Sequence, residues 1–142
     1  MIRKMQKEDI NRMMDIWLTA MVKAHPYVEE QYWIKHYRTV KNRFLQSAYV
    51  YVTIEDDVII GFAAIKEDGL LTGFYIIPGC QKHHMGTKLL AYCKEQFSLL
   101  RIHVYEKNTG AAHFFRKNAF EAVDMQKNID SNLSEYTLEW KK

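Results

Sequence analysis

The sequence predicts a mixed α/β fold (α+β in arrangement): a twisted, mixed β-sheet of about seven strands with helices on both faces. Three β-rich runs follow one another through short turns, as in an antiparallel meander. A later strand–helix–strand order requires a crossover between two parallel neighbouring strands. The 142 residues are 48% hydrophobic, so we expect one domain over residues 1–142 with one core. The predicted order is β-α-α-β-β-β-α-β-α-β-β.

The first third of the chain predicts a short strand and two amphipathic helices. Residues 2–5 form the strand. Apolar residues at helical spacing predict a helix over residues 8–24, and His25-Pro26 ends it because the residue before a proline disfavours helical angles. A second helix is predicted over residues 29–46. The apolar faces consist of Ile10, Met13, Met14, Trp17 and Met21 in the first helix, and of Trp33, Tyr37, Val40 and Phe44 in the second.

The rest of the chain alternates strands and helices. Asp56-Asp57 and Asp68-Gly69 are turn signals that separate the three strands of the meander. Asn108 is a suitable cap for the last helix. The predicted strands are 49–55, 58–66, 70–77, 101–105, 120–128 and 134–140, and the predicted helices are 86–99 and 110–118.

Segment 73–90 carries the strongest functional signal. A β-rich run ends at a proline, a short basic loop follows, and an amphipathic helix begins near Gly86. The first helical amides and the helix dipole concentrate partial positive charge at such a junction. The sequence therefore predicts an anion site, most simply for a phosphate. It is not a P-loop, because Gly79 and Gly86 are separated by six residues and Thr87-Lys88 is in the reverse order.

Two motifs resemble those of the GCN5-related N-acetyltransferase (GNAT) family, across nearly the whole chain. Residues 81–86, Gln-Lys-His-His-Met-Gly, resemble the acetyl-CoA pyrophosphate loop, whose usual form is Gln/Arg-x-x-Gly-x-Gly/Ala. Residues 104–120 are similar to the family's run of Asn, Ala, Phe-Tyr and Gly-Phe. The matching positions here are Asn108, Ala111, Phe114-Phe115, Ala119 and Phe120. The His25-Pro26-Tyr27 turn after the first helix is also similar to that of a subgroup of small bacterial members.

The resemblance implies an enzyme that transfers an acetyl group from acetyl-CoA to a primary amine, by direct attack in a ternary complex. The pantetheine arm would pair with the edge of the strand that ends near Ile77, and the pyrophosphate would lie on the loop amides. Asn108 would hydrogen-bond the pantetheine arm, and Phe114 and Phe115 would wall the thioester. The cofactor-binding residues implied are Tyr75, Ile76, Ile77, Gln81, Lys82, His83, His84, Met85, Gly86, Thr87, Asn108, Phe114 and Phe115.

The reaction needs a base for the ammonium proton, a donor for the developing oxyanion and a proton for the departing thiolate. His103 is the candidate base, since it lies on the fifth strand where many relatives carry a glutamate, and imidazole exchanges protons near neutral pH. The alternative is a strand residue that faces solvent or a hydrogen-bonding partner. The backbone N–H near Ile76 is the candidate oxyanion donor. Tyr75, Tyr105 or a water would protonate the thiolate.

Three positions depart from the family pattern. His84 replaces the first glycine of the loop, so a β-carbon could loosen the phosphate site or the imidazole could donate a hydrogen bond in compensation. Phe115 replaces the tyrosine that commonly protonates the thiolate. Ala119 replaces a glycine at a helix end, which concerns capping more than chemistry. The first two departures motivate an alternative function, a coenzyme A binding or sensing module with weak or lost catalysis.

The acceptor is an amine that the sequence does not identify: a protein lysine or N-terminus, a polyamine or another small amine. In relatives the region between the first two helices lines the acceptor channel, so His25, Tyr27 and Tyr32 are the candidate substrate-binding residues. A monomer and a homodimer are both open.

Other partner classes are not favoured. The net charge of +3 is mild and spread along the chain, so no nucleic acid is expected. No apolar run approaches the ~20 residues of a membrane span, so we expect no membrane association and a cytoplasmic protein. Cys80, His83 and His84 lie close together, but a regularly spaced four-ligand set is missing, so no metal is expected.

Overall fold

The predicted mixed sheet with helices on both faces is confirmed by a computed structural model, which describes residues 1–79 and 84–142. Within these residues seven strands pair in the order β1-β2-β3-β4-β5-β7-β6. The strands are β1 (Ile2–Lys4), β2 (Tyr49–Glu55), β3 (Val58–Ile65), β4 (Leu70–Ile76), β5 (Leu99–Tyr105), β6 (Glu121–Lys127) and β7 (Ser134–Lys141). The helices are α1 (Ile10–Ala24), α2 (Glu30–Leu45), α3 (Met85–Gln96) and α4 (Thr109–Lys117).

Two apolar layers sandwich the sheet. The α1/α2 layer buries Met13, Trp17 and Phe44 against Val52 and Phe62 of the sheet. On the opposite face, the α3/α4 layer contains the next set of core residues. These include Leu89, Leu90, Cys93, Leu100, Ile102, Phe115 and Leu138. The apolar side chains of β5 and β7 face the α3/α4 layer. The polar side chains that alternate with them therefore lie on the same side of the sheet as α1 and α2.

Helix α3 ends earlier than the sequence predicts. It was expected to reach residue 99, yet it ends at Gln96, and Phe97 has extended angles of φ −134° and ψ 148°. The apolar ring of Phe97 packs against Tyr49 with ring centroids 5.2 Å apart. Leu99 then pairs with Lys141 as the first residue of β5. Tertiary pairing therefore overrides the helical pattern in the last three positions.

A β-bulge at Thr72 reverses the alternation of β4. Leu71 pairs with Ile65 of β3 and Gly73 pairs with Ala64, so Thr72 is an extra residue on β4. Leu71 consequently faces the α3/α4 layer, whereas Tyr75 packs with the α1/α2 layer. A simple strand would place both side chains on one face.

The same bulge coincides with the end of the parallel pairing between β4 and β5. This parallel neighbourhood was predicted and is confirmed, but among the described residues it consists of two pairs, Leu70 with Arg101 and Leu71 with Ile102. The Arg101 N–H also donates to the Gly69 carbonyl at 3.0 Å. Beyond Leu71 the two strands are not paired, so the second half of β4 leaves a strand edge open towards β5.

Helix α4 has the predicted start. The Asn108 side chain accepts a hydrogen bond from the Ala111 N–H at 3.2 Å, as an N-cap residue does. At the other end Ala119 has a φ of 72°, the left-handed conformation that glycine usually supplies. The substitution at Ala119 thus concerns the helix end, as expected.

Gly61→Ala should destabilise the fold. A β-carbon at Gly61 would lie 2.5 Å from the Tyr75 carbonyl oxygen and 2.4 Å from the Ile76 Cδ1 atom, so β3 and β4 would have to separate. We expect a loss of about 1–3 kcal/mol in the free energy of unfolding, measured by urea denaturation.

Gly110→Ala is the matched control for this prediction. A β-carbon at Gly110 meets no described atom within 4 Å, and the residue lies inside helix α4. There the helix propensity of alanine should raise stability by about 0.5–1 kcal/mol. Equal unfolding free energies for the two variants would contradict the packing argument.

Candidate active site

A cleft of about 1670 Å³ opens where β4 and β5 separate. Its walls come from α1, α2, β4, β5, the first turn of α3, α4 and the β6–β7 turn. The predicted site residues that line it are His25, Tyr32, Tyr75, Ile76, His84, Gly86, Thr87, His103, Asn108, Phe114 and Phe115. Ile77, Met85 and Tyr27 do not line it. Gln81, Lys82 and His83, together with Cys80, lie outside the described residues.

The backbone of β4 explains the difference between Ile76 and Ile77. The Ile77 N–H donates to the Ile60 carbonyl of β3 at 2.8 Å, so it is already used. Successive amides of a strand point to opposite sides, and the Ile76 N–H therefore points towards the open β5 side. The backbone N–H of Ile76, unlike that of Ile77, is therefore directed into the cleft and not towards β3.

The first turn of α3 forms one end of the cleft. His84 caps it in the left-handed conformation, with φ 55° and ψ 30°, which explains why glycine is the usual residue there. The first amide bonded within the helix is that of Lys88, which donates to the His84 carbonyl at 3.0 Å. The amides of Met85, Gly86 and Thr87 precede this bond, as the opening amides of a helix do. The Met85 side chain is buried in the core, so only its backbone can serve a ligand.

Helix α4 faces this first turn with an aromatic wall. A β-carbon at Gly86 would lie 3.2 Å from the Phe114 ring, so the two helices approach closely here. Phe114 is partly exposed and packs against Phe74 at 5.7 Å. Phe115 is only 3% exposed and packs against Phe120 at 5.2 Å, so it is mainly a core residue. Of the two predicted wall residues, Phe114 presents the larger surface.

Tyr75 stands on the α1/α2 side of the cleft. Its ring packs against Phe62 with centroids 5.4 Å apart. Burial raises the pKa of the Tyr75 phenol to about 12, an effect that Arg43 and Trp17 partly offset. The phenol therefore keeps its proton throughout the neutral range and can donate it or hold it in a hydrogen bond.

An aromatic cluster closes the cleft beneath α1 and α2. His25 is 3% exposed and contacts the rings of Tyr27, Trp33 and Tyr105 at centroid distances of 5.4, 5.4 and 5.1 Å. Its Nδ1 atom is hydrogen-bonded to the Tyr27 hydroxyl. Burial lowers the pKa of His25 to about 4, so the ring is neutral. Tyr27 therefore supports His25 from outside the cleft.

Other residues beside the aromatic cluster around His25 carry polar groups. Burial, with the neighbouring Tyr105, raises the pKa of Tyr32 to about 12. The Tyr105 hydroxyl donates to Ser131 Oγ at 3.0 Å, which ties β5 to the β6–β7 turn. The buried Trp33 indole N–H has no hydrogen-bond partner among residues 1–79 and 84–142. Trp33, predicted only as a core residue, is thus also a donor at the cleft wall.

His103 is exposed on the open face of β5, with partners that the sequence did not reveal. Its Nδ1 atom lies 3.0 Å from Thr137 Oγ1 and 3.3 Å from Gln126 Nε2. Gln126 also donates to Glu135, which lines the cleft. These partners belong to β6 and β7, and only the order β5-β7-β6 brings them beside His103. A hydrophobic pattern along the chain does not encode that order.

Among residues 1–79 and 84–142, no three His, Cys, Asp or Glu side chains are grouped so that they could hold a metal ion. In the same part of the chain, no helix has the length and apolar character that crossing a membrane requires.

The seven-stranded mixed sheet, with a central parallel pair that separates beside a helix N-terminus, is a fold shared with a solved N-acetyltransferase. A family model described as an acetyltransferase (GNAT) domain matches residues 16–134. The chain therefore belongs to the GNAT family and is an N-acetyltransferase, which confirms the predicted family.

Individual relatives agree along the full length. The chain is 26% identical over 140 residues to the peptidyl-lysine N-acetyltransferase YiaC of Escherichia coli strain K12, an alignment that covers 99% of this chain and 96% of YiaC. The solution structure of apo YjaB from Escherichia coli superposes with a TM-score of 0.86 at 20% identity, covering 99% and 96% of the two chains. The PaiA N-acetyltransferase of Thermoplasma acidophilum, solved with coenzyme A, superposes with a TM-score of 0.82 at 20% identity, covering 100% and 98%. The two superpositions concern the fold.

The buried His25 should make stability depend on pH. In the unfolded chain a histidine takes up a proton near its ordinary value of 6.5, whereas the pKa of folded His25 is about 4. Between these values the unfolded state holds more protons, so the free energy of unfolding falls as pH falls. From pH 7.5 to 5.0 the His25 contribution should drop by about 2 kcal/mol.

Urea denaturation of the wild type and His25→Gln at these two pH values measures this effect. The variant lacks the ionisable ring, so its stability should change less with pH by that amount. The same pH slope in both proteins would show that His25 is not buried in its neutral form.

Proposed function

We propose that the protein transfers the acetyl group of acetyl-CoA to the ε-amine of a lysine side chain in a protein or peptide. The observation that carries this proposal is the cleft between the separated strands β4 and β5, which joins the N-terminus of α3 to the polar face around His103. The relative YiaC, described as a peptidyl-lysine N-acetyltransferase, supports a lysine acceptor. The PaiA complex supports coenzyme A as the carrier.

The cofactor end of the cleft suits an extended, amide-rich thioester. The unpaired edge of β4 offers backbone groups to the pantetheine arm, as an added strand would use them. Asn108 uses its side-chain oxygen as the cap of α4, so its amide group is the part that faces a ligand. The opening amides of α3, at Met85 to Thr87, supply donors and partial positive charge for the pyrophosphate.

Four groups carry out the separate roles that the acetyl transfer requires. His103 takes the proton from the acceptor ammonium, which frees the nitrogen lone pair for attack on the thioester carbonyl. The Ile76 N–H stabilises the charge that develops on the carbonyl oxygen. As the C–N bond forms and the C–S bond breaks, the sulfur leaves as a thiolate and receives a proton from Tyr75 or a water. The nitrogen gives up its second proton in the same step, and this proton replaces the one that the donor lost. Phe114 keeps bulk water from the thioester side.

The second candidate function is a coenzyme A binding module with weak catalysis. The observation in its favour is Phe115, which has no hydroxyl at the position of the usual proton donor and is buried in the core. A thiol titrates at ~8.5, so the thiolate is a fair leaving group without that donor. We therefore favour the enzyme. Turnover distinguishes the two functions.

Calorimetry and mass spectrometry test the proposal together. Acetyl-CoA should bind with micromolar affinity, and S-acetylpantetheine, which lacks the pyrophosphate, should bind more weakly. A lysine peptide with a blocked N-terminus should gain one acetyl group, and the matched arginine peptide should gain none. Binding without acetylation of any amine tested would favour the binding module, whereas absent binding would reject both functions.

His103→Ala should lower kcat by roughly 10²–10⁴-fold with little change in acetyl-CoA affinity, because a positioned base contributes about that much. The measurement is steady-state turnover with calorimetry on the same preparation. His103→Gln is the matched control for size and polarity, and it should be equally slow because an amide cannot take the proton. A kcat within twofold of the wild type in either variant would remove His103 from the mechanism.

A further inference from the structure

His103 stands at one end of a chain of hydrogen bonds that crosses three strands. In the sheet register His103 of β5 is opposite Thr137 of β7, and Gln126 of β6 is opposite Glu135 of β7. The side chains of these paired residues share one face of the sheet. The contacts are His103 Nδ1 to Thr137 Oγ1 at 3.0 Å, Thr137 Oγ1 to Gln126 Oε1 at 3.3 Å, and Gln126 Nε2 to Glu135 Oε1 at 3.3 Å.

The Glu135 carboxylate at the far end determines which group donates and which accepts in each of these hydrogen bonds. An ionised Glu135 can only accept hydrogen bonds, so the group of Gln126 that faces it is the NH₂ group. The Gln126 oxygen is then turned towards Thr137, whose hydroxyl donates to it. With its own proton used, Thr137 Oγ1 is left as an acceptor towards His103. The Nδ1 atom of His103 must therefore carry the proton that completes the 3.0 Å contact.

Glu135 is itself held in place. Asn128 Nδ2 donates to Glu135 Oε2 at 3.3 Å. The Asn128 oxygen accepts from the backbone N–H groups of Asp130 and Ser131, at 2.9 and 3.0 Å. The β6–β7 turn thus fixes the Asn128 amide, and the amide in turn orients the carboxylate.

We infer that Thr137, Gln126 and Glu135 are positioning residues that hold His103 in the Nδ1–H tautomer and leave Nε2 as the proton acceptor. The inference rests on the proposed function, in which His103 is the base. Nε2 then takes one proton from the acceptor ammonium and forms the imidazolium, while Nδ1 keeps its hydrogen bond to Thr137. The positive charge is balanced through the chain by Glu135. The proton leaves Nε2 for water or the coenzyme A thiolate, which restores the neutral ring.

One contact would favour the opposite tautomer. Gln126 Nε2 lies 3.3 Å from His103 Nδ1, and an amide N–H that donated there would require an unprotonated Nδ1. The Thr137 contact is shorter, at 3.0 Å, and it agrees with the donor directions that Glu135, Gln126 and Thr137 impose on one another. The two tautomers differ in which nitrogen carries the proton, so they can be distinguished without any substrate.

The first test is nuclear magnetic resonance of the unliganded protein labelled with ¹⁵N, at a pH where the ring is neutral. Two-bond ¹H–¹⁵N correlations report which nitrogen of His103 is protonated. We expect the proton on Nδ1 in the wild type and a shift of the population towards Nε2–H in Thr137→Val. Thr137→Ser retains the hydroxyl and should restore the wild-type spectrum. A wild-type ring with its proton on Nε2 would overturn the inference.

The second test is turnover of the same variants. Thr137→Val should lower kcat roughly tenfold at nearly constant KM for both substrates, and Thr137→Ser should recover most of the loss. Glu139→Gln is the matched control, since it removes the 2.7 Å ion pair to Arg101, the neighbouring pair on the same face of β5 and β7. It should change neither the His103 tautomer nor kcat. An equal loss of kcat in Glu139→Gln and Thr137→Val would assign the effect to the strand pair as a whole.

The two tests separate this inference from the proposed function. Wild-type kcat in Thr137→Val, with the tautomer shifted, would show that the hydrogen-bond chain has no part in an otherwise intact reaction. Full activity in His103→Ala would remove the base itself and with it the role of the chain in catalysis.

Discussion

The separation of β4 from β5 is the constraint on which the site depends, and the extra residue at Thr72 accounts for it. A bulge bends its strand and raises the local twist, and this one falls directly after the last β4–β5 pair at Leu71. Because the bulge also reverses the side-chain alternation, Tyr75 reaches the α1/α2 side while Ile76 remains in the opposite core. This one extra residue thus opens the cleft and directs the Tyr75 phenol and the Ile76 backbone N–H towards it.

Both sequence motifs contribute residues that line this opening, the first from the start of α3 and the second from α4. The first turn of α3 and helix α4 lie more than twenty positions apart in the chain, yet a β-carbon at Gly86 would lie only 3.2 Å from the Phe114 ring. A larger residue at Gly86 would push the aromatic wall away from the helix terminus. The glycine that the pyrophosphate loop retains is therefore needed for helix packing as well as for approach to an anion. His84 lies where the other glycine of the loop is usual, and it has the left-handed backbone conformation without being glycine.

Local patterns were sufficient to predict the element order, the caps and the parallel crossover, because hydrophobic periodicity and turn residues act over a few positions. The candidate site residues were predicted from the two motifs and, for His25, Tyr32 and His103, from their position among the predicted elements. Gly73 inside β4 was the one sequence signal for the nearby bulge, since a glycine in a strand often marks one. The partners of His103 had no local signal. They come from β6 and β7, and Thr137 reaches His103 only because the last strand inserts between β5 and β6. Phe114 and Phe115 were both expected at the thioester, and both line the cleft, with Phe115 only 3% exposed.

The loss of a hydroxyl at Phe115 changes the demand on the remaining groups. A dedicated acid matters most when the leaving group is strongly basic, and a thiolate near ~8.5 is only moderately so. Tyr75, whose pKa is raised to about 12, is a weak acid for this task and serves better as a fixed hydrogen-bond donor. In the proposed mechanism, the proton that His103 takes from the amine is a further source, because it is produced in the same cleft in each reaction cycle. A base that passes its proton on to the departing thiolate needs a ring held in one orientation through both transfers. In the mechanism proposed above, the hydrogen bonds that link His103 through Thr137 and Gln126 to Glu135 provide that orientation. A site without the usual tyrosine would then still support catalysis.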